Sequence, residues 1–306
     1  MARYITVDGG TTNTRLTLIE NGKVLTVKKT AVGARNGREA LISAIKDIVD
    51  EIAPDLIGIE AVIASGMITS EYGLVNLPHV TAPAGVPELH KSMHKTEFPE
   101  IGKAPWYFIR GVKTEPISLD RADVMRGEET ELMGILDGGE NSLYIMPGSH
   151  SKHIKVDKNG KITGFATMMS GELFAAVMQN TILRDAADFE HSALIGEKLF
   201  EGYEYADSHG INEALFKVRI LKNMFGAAKE ECYSFLLGVT LHAEVKSILE
   251  SDAKSVIITG QKQQKEAIAC LLSRSGKTVT VLDDETTASS TAIGAVRIYE
   301  YEEFRG

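Results

Sequence analysis

Tyr4-Ile5-Thr6-Val7-Asp8-Gly9-Gly10-Thr11-Thr12-Asn13-Thr14-Arg15 is the stretch from which the fold can be read. β-Branched and apolar residues make Tyr4 to Asp8 a strand that ends on a carboxylate. Gly9 to Thr12 is a turn of small residues and hydroxyls, and Thr14 to Ile19 resumes as a second strand. Asn21-Gly22 then signals a type I′ hairpin, with Lys23 to Thr30 as the third strand. A helix follows. Ala40, Leu41, Ala44, Ile45, Ile48, Val49 and Ile52 share one face, and Pro54 marks its end. Ile57 to Ala64 reads as a buried parallel strand running into Ser65-Gly66-Met67.

The same order recurs. Leu143 to Met146 is an apolar strand and Pro147-Gly148-Ser149-His150 a turn. Lys152 to Val156 is a second strand, Asp157-Lys158-Asn159-Gly160 another turn, and Lys161 to Met169 a third strand. A helix begins after Ser170-Gly171. The two copies share architecture and almost no residue identity. Between them, Gly73 to Pro116 holds most of the prolines and Trp106, has weak periodicity, and reads as an insertion or elaborated loop region. Asp120 to Leu136 is expected to be a helix joining the halves. Phe189 to Leu249 reads as mainly helical, and Ser255 to Thr259 as a buried strand ending in Gly260-Gln261. A helix to about Leu272, a strand from Thr278 to Leu282 and a helix from about Ser290 to Tyr301 close the chain.

Length and composition agree with this division. The 306 residues are about two domains' worth. Apolar residues at 43% suffice for a sizeable core. The net charge of −9 and the lack of a basic run exclude non-specific nucleic-acid binding as the expected role. Cys232 and Cys270 match no metal or redox spacing, so a reducing compartment is expected. No apolar stretch reaches the ~18 residues that cross a bilayer. The N-terminus reads as a strand, not a signal peptide. A soluble, cytoplasmic protein is expected, without membrane or nucleic-acid partners.

Four segments carry chemistry. In the first, Asp8 stands at a strand end before Gly9, Gly10, Thr11, Thr12 and Arg15. Glycines let backbone N–H groups approach a phosphate, threonine hydroxyls add donors, and a carboxylate can hold Mg²⁺ through water. A plain hairpin turn with an aspartate cap uses the same residues. The second, Gly148-Ser149-His150-Ser151-Lys152, is again small and hydroxyl-rich, and its His150 and Lys152 add positive charge. Two such turns across a cleft would grip a polyphosphate; a solvated surface hairpin is the alternative. In the third, Asp123-Val124-Met125-Arg126-Gly127-Glu128, Gly127 is expected to interrupt a helix at ~1 kcal/mol against alanine, which suggests close approach of a backbone or ligand. Arg126 can fork onto a carboxylate. Asp123 as a helix cap and the glutamates as a solvated face are the ordinary reading. The fourth, Thr259-Gly260-Gln261 at a strand end, suits a nucleoside or a plain strand-to-helix junction. Gly294, on a small-residue helix face, suits close packing as well as a nucleoside. P-loop, dinucleotide and protein-kinase signatures are absent.

In this order the segments resemble the sugar kinase, Hsp70 and actin superfamily. More narrowly, the runs Met125 to Leu132, Leu143 to Lys152 and Met169-Ser170-Gly171-Glu172-Leu173 resemble the 2-dehydro-3-deoxygalactonokinase family. The resemblance spans the chain. It departs at Ser170, where the family pattern has Thr, and at Gly9, where a bulky residue often stands; neither change removes a charged group. It implies an α/β fold of duplicated actin-like, ribonuclease H-like ATPase domains, with mixed five-stranded sheets and helices and a cleft between them. The domains are expected at 1–118, with a sugar-side insertion at about 70–116, and at 119–306, carrying the second phosphate and adenosine motifs. It implies ATP-dependent phosphorylation of 2-dehydro-3-deoxy-D-galactonate at its 6-hydroxyl, in galactonate catabolism, with ATP and Mg²⁺ as cofactors. Asp8 would position the metal. Asp123 would be the base, with Glu128 in reserve. Gly9, Gly10, Thr11, Thr12, Arg15, Gly148, Ser149, His150 and Lys152 would contact phosphates. Thr259, Gly260, Gln261 and Gly294 would contact adenosine, and Arg126, Ser65, Gly66, Met67, Gly171 and Glu172 the sugar acid. A kinase for another sugar or sugar acid is one alternative. A non-catalytic nucleotide-binding sugar sensor is another, although no added DNA-binding segment and no cysteine-rich zinc motif are visible. The oligomeric state is left open, a homodimer among the options.

Overall fold

The computed structural model describes residues 2–136 and 142–302. In chain order, β1 (Arg3–Gly9), β2 (Thr14–Glu20) and β3 (Lys23–Thr30) lead into α1 (Arg38–Ile52) and β4 (Ala61–Gly66). Next come β5 (Val80–Thr81), α2 (Val86–Ser92), β6 (His94–Thr96), β7 (Trp106–Phe108), β8 (Val112–Lys113), β9 (Val124–Met125) and α3 (Glu128–Ile135). Then follow β10 (Ser142–Met146), β11 (Ser151–Val156), β12 (Ile162–Met168), α4 (Ser170–Asn180), α5 (Gly196–His209), α6 (Ile211–Phe225) and α7 (Lys229–Glu250). The chain closes with β13 (Ser255–Ile258), α8 (Lys262–Leu272), β14 (Thr278–Val281) and α9 (Asp284–Tyr299). Two compact units form, one from residues 1–140, 156–165 and 285–306, the other from 141–155 and 166–284.

The first unit carries a sheet in the order β3-β2-β1-β4-β7-β6. Asn21 and Gly22 both take positive φ, 50° and 74°, as the tight hairpin between β2 and β3 requires. β1 and β2 are antiparallel, which sets Asp8 opposite Arg15; β1 and β4 are parallel, which sets Asp8 beside Ser65 and Gly9 beside Gly66. The carboxyl ends of β1 and β4 therefore finish together, the edge at which open α/β sheets bind ligands. The apolar face of α1 (Leu41, Ile45, Ile48, Val49) packs on Ile5, Val7, Leu16 and Leu18 of the sheet. A small second sheet has the order β5-β8-β9.

Two expectations need correction. The region from Gly73 to Pro116 is not only an insertion: it contains β7, which runs parallel to β4 inside the main sheet. Trp106 and Phe108 are wholly buried there. Three residues are too few for alternation to be recognised. Nor is Asp120 to Leu136 one helix. Val124–Met125 is a strand, α3 starts at Glu128, and Gly127 is the N-terminal cap with φ 118°. The glycine starts the helix; it does not interrupt it.

The second unit is built on the order β12-β11-β10-β13-β14, with β13 parallel to both β10 and β14. Counted from each sheet's first strand, the order is third-second-first-fourth-fifth here and third-second-first-fourth-sixth-fifth in the first unit, so the two agree over their first four strands. Leu143, Ile145, Val256 and Ile258 face helical residues such as Phe174, Leu199, Phe235 and Leu236 in one core. α5 and α7 touch backbone to backbone: a Cβ on Gly202 would stand 2.1 Å from Phe235 O, and one on Gly238 would stand 2.1 Å from Leu199 O. Both cysteines are free. Among the described residues, no helix is long and apolar enough to cross a membrane.

Candidate active site

In the first unit the turn after β1 is held from behind. Ala34 N–H donates to Gly10 O (2.9 Å) and Arg35 N–H to Thr11 O (3.0 Å). In a trans peptide the N–H points opposite to the C=O. The N–H groups of Thr11 and Thr12 therefore face away from the 33–35 segment, and both residues are exposed. This is a donor pair suited to an anion. Asp8 Oδ2 accepts from Arg15 Nη2 at 2.8 Å, and Arg15 Nη1 donates to Ala288 O at 3.0 Å. Arg15 is thus tied to Asp8 and to α9. Asp8 Oδ1 lies on the Gly66 side, 3.5 Å from where a Cβ at that position would stand. No group of three or more His, Cys, Asp or Glu residues suited to a metal occurs among the described residues. A single carboxylate oxygen fits Mg²⁺ held mostly through water and does not fit a dehydrated metal cage.

Gly9, Gly66 and Gly127 stack closely. A Cβ on Gly66 would meet Gly9 O at 2.6 Å, and one on Gly127 would meet Gly66 Cα at 3.3 Å. A Cβ on Gly9 would strike the Ile68 side chain at 2.6 Å, which accounts for the glycine at this position. Ser65 is buried and Met67 half-buried beside them. Arg126 reaches this segment: Nη1 donates to Thr69 O (2.7 Å) and Thr69 Oγ1 (2.6 Å), and Nη2 donates to Leu77 O (3.2 Å). Its guanidinium also sits 3.5 Å from His79 Nδ1. Burial first, then the charges of Arg126 and Lys113, push His79 down to about 4, so it is neutral at pH 7.

Asp123 and Glu128 flank this point. Asp123 Oδ1 accepts from Val124 N–H (2.7 Å), and Glu128 Oε2 accepts from Arg126 N–H (3.0 Å). Asp123 also lines a cavity of 310 Å³ with Lys113, Thr114, Pro116, Ala122 and Val124. Next to Glu128 in sequence, Glu129 is wholly buried. Both its oxygens accept from Gly127 N–H, and Oε1 also accepts from Thr130 Oγ1. Burial, reinforced by Glu128, pushes its carboxyl up to about 8.

In the second unit the turn 147–150 is cradled by the start of α4. Glu172 N–H donates to Ser149 O (3.0 Å), and Glu172 Oε2 pairs with His150 Nε2 (2.6 Å). A Cβ on Gly171 would stand 2.0 Å from Gly148 O, so only glycine lets α4 seat on the turn. A Cβ on Gly260, which has φ 93°, would stand 2.5 Å from Pro147 O. Thr259 N–H donates to Ile145 O (3.0 Å), joining β13 to β10. Lys152 is buried on β11 and donates to Thr167 Oγ1 (2.9 Å). Gly294 belongs to α9, where a Cβ would stand 1.9 Å from Thr130 O of α3; that close packing is sufficient reason for a glycine there.

A cavity of 210 Å³ opens beside the turn. It is lined by Ser149, Gly171 and Gln261, which the sequence had singled out, and by Phe174, Tyr233 and Gln264, which it had not. Phe174 and Tyr233 meet edge to face at 5.1 Å, giving the cavity an aromatic wall. The sequence places Phe174 and Tyr233 in helical stretches without marking them, because an aromatic on an apolar helix face looks the same whether it packs inward or borders a cavity.

The family model for 2-keto-3-deoxy-galactonokinase matches residues 8–296. The 2-dehydro-3-deoxygalactonokinase of Escherichia coli (strain K12) is 28% identical over 264 residues, 84% of this chain and 84% of that one. The crystal structure of a candidate 2-dehydro-3-deoxygalactonokinase from Sinorhizobium meliloti matches with a TM-score of 0.79 at 24% identity, over 97% of this chain and 100% of that one. The activator of 2-hydroxyisocaproyl-CoA dehydratase from Clostridium difficile, a structure with bound ADPNP, matches with a TM-score of 0.52 at 13% identity, over 97% of this chain and 93% of that one. The α/β fold with mixed sheets is shared with both of these structures.

Proposed function

The chain belongs to the 2-keto-3-deoxy-galactonokinase family, and from that premise we propose that it transfers the γ-phosphoryl group of ATP to the 6-hydroxyl of 2-dehydro-3-deoxy-D-galactonate, in galactonate catabolism. The observation that carries the reading is the family match across nearly the whole chain, residues 8–296. The geometry supports it. Phosphoryl transfer requires positioning and charge neutralisation more than covalent chemistry. The outward N–H groups of Thr11 and Thr12, and the Gly148-Ser149 turn, are suited to phosphate oxygens. The aromatic-walled cavity beside Ser149, Gly171 and Gln261 is suited to adenine and ribose.

Asp123 is assigned as the base that accepts the proton of the attacking hydroxyl, because it lines a cavity with Lys113 and Thr114. Glu128 is the reserve. Asp8 Oδ1 is the atom that would hold Mg²⁺ through water; when bound, the metal supplies neutralising charge to the phosphates. Arg126 places positive charge next to the Ser65-Gly66-Met67 turn, on the side assigned to the sugar acid.

The reading is tested by following ADP release with the keto-deoxy acid against a panel of neutral hexoses. Release stimulated by the acid alone is expected. Stimulation by a neutral hexose and not by the acid would replace the substrate, and no release with any sugar would favour a sensor.

A further inference from the structure

We propose that Glu244 is a positioning residue for the second phosphate turn, one carboxylate fixing both the strand that leaves the turn and the helix that seats on it. Glu244 lies on α7 and is 1% exposed. Its Oε1 accepts from Ser151 Oγ, the first residue of β11 after the turn, and from His153 Nε2 at 3.2 Å. Its Oε2 accepts from Ser170 Oγ, the first residue of α4. The next residues of α4, Gly171 and Glu172, are those that touch Gly148 and Ser149. Ser247, one turn further along α7, meets His153 Nδ1 at 3.2 Å. Burial pushes the Glu244 carboxyl up, yet the bonds from His153, Ser151 and Ser170 prevail and hold it below its ordinary value.

A charge is a costly way to fill a core, since an apolar side chain of similar size usually stabilises as well. What the carboxylate supplies instead is direction. Its two oxygens face two elements, and each hydroxyl bond fixes where one of them starts. The turn between those elements has little freedom left once both are fixed. Phosphate donors must be placed within a fraction of an ångström, so the position of Ser149 depends on Glu244 without any contact between Glu244 and the nucleotide.

The inference rests on the assignment of the 147–150 turn to phosphate. Its test is steady-state kinetics of the full chain carrying Glu244→Gln, Ser170→Ala or both, with melting temperatures and KM for ATP and for 2-dehydro-3-deoxy-D-galactonate. For Glu244→Gln, kcat/KM for ATP is expected to fall about ten- to a hundredfold, while KM for the sugar acid holds its wild-type value. Ser170→Ala should fall in the same sense by less. The double variant should be no worse than Glu244→Gln, because the two groups act as one unit. A lower melting temperature with unchanged kcat/KM for ATP would overturn the inference, and so would equal losses for both substrates. If Glu244→Gln fails to fold, Ser170→Ala decides by the same two readouts. Gly148→Ala separates the layers. Wild-type ATP kinetics in Gly148→Ala would remove the turn from phosphate binding, and the inference with it. An impaired Gly148→Ala beside a normal Glu244→Gln would remove the inference alone.

Discussion

Gly171 lies so close to Gly148 that a Cβ on it would stand 2.0 Å from the Gly148 carbonyl oxygen, whereas a Cβ on Gly148 would meet nothing within 4 Å. The first glycine is required by the fold. The second is not, and under the proposed function its smallness serves the approach of a phosphate. Gly148→Ala should therefore keep the wild-type melting temperature, with a stability change below about 1 kcal/mol, while KM for ATP rises several-fold. Gly171→Ala should do the reverse and destabilise by about 1–3 kcal/mol through overpacking. Thermal melts beside ATP kinetics separate the pair; a normal KM in Gly148→Ala would mean that no phosphate approaches there.

Asp8→Asn is expected to cost activity and not stability. The Asp8–Arg15 pair is partly exposed, with side chains 30% and 26% accessible, so its loss should change stability by no more than about 1 kcal/mol. The volume is unchanged and the charge proposed to face Mg²⁺ is gone. Turnover should fall by about a hundredfold or more, with recovery only at raised Mg²⁺. Near-wild-type turnover at ordinary Mg²⁺ would remove Asp8 from the metal.

Glu129 should make stability fall as pH rises. In the folded chain its carboxyl is raised from 4.5 to about 8 by burial and by Glu128. Below the lower value both the folded and unfolded states hold the proton, and nothing depends on pH. Between the two values the unfolded state has released the proton and the folded state has kept it. The folded state then binds more protons, so raising pH through this window favours unfolding. Melting temperature measured from pH 5 to pH 8 should decline more steeply in the wild type than in Glu129→Gln, whose side chain does not titrate. Parallel curves would show that Glu129 is already ionised at the lower end.

Arg126→Lys should lower stability and the affinity for the sugar acid together. The guanidinium fork reaches Thr69 O, Thr69 Oγ1 and Leu77 O at once, which an ammonium cannot reproduce. A loss of about 1–3 kcal/mol is expected, together with a raised KM for the acid and an unchanged KM for ATP. A lower melting temperature with an unchanged KM for the acid would leave Arg126 as a strut behind the site and not a contact within it.

The legible parts of the sequence were those written in long periods or in turn chemistry. The apolar face of α1, the Asn21-Gly22 hairpin and the strand-turn-strand order around Asp8 and Gly148 all declare themselves within a few residues. β7 did not, because Trp106–Phe108 is too short to display a period and becomes a strand only through its pairing with β4. The break at Gly127 is hidden for a related reason: the pairing of β9 with β8, which ends the extended stretch before α3, is non-local. In the candidate site, small residues and exposed acids drew attention, while Phe174, Tyr233 and Glu244 did not. Ser151, His153 and Ser170 meet Glu244 from 74 to 93 positions away, a meeting that only the folded chain brings about.

α7 gives two tasks to one rigid body. Tyr233 and Leu237 border the cavity, and Glu244 anchors the neighbouring turn. From Tyr233 to Glu244 the helix climbs eleven residues, roughly 16 Å at 1.5 Å each. Between the two ends it packs closely against α5 through Gly202 and Gly238, so a shift at one end is carried to the other. Mutational drift at one end therefore is not private to that end. If the cavity holds the nucleobase as proposed, a substitution that tilts α7 to admit a different base also shifts the carboxylate at the far end. Relaxed base preference in this scaffold should then appear as slower turnover as well as altered affinity, and lineages that change nucleotide should carry compensating changes at 151, 170 or 244.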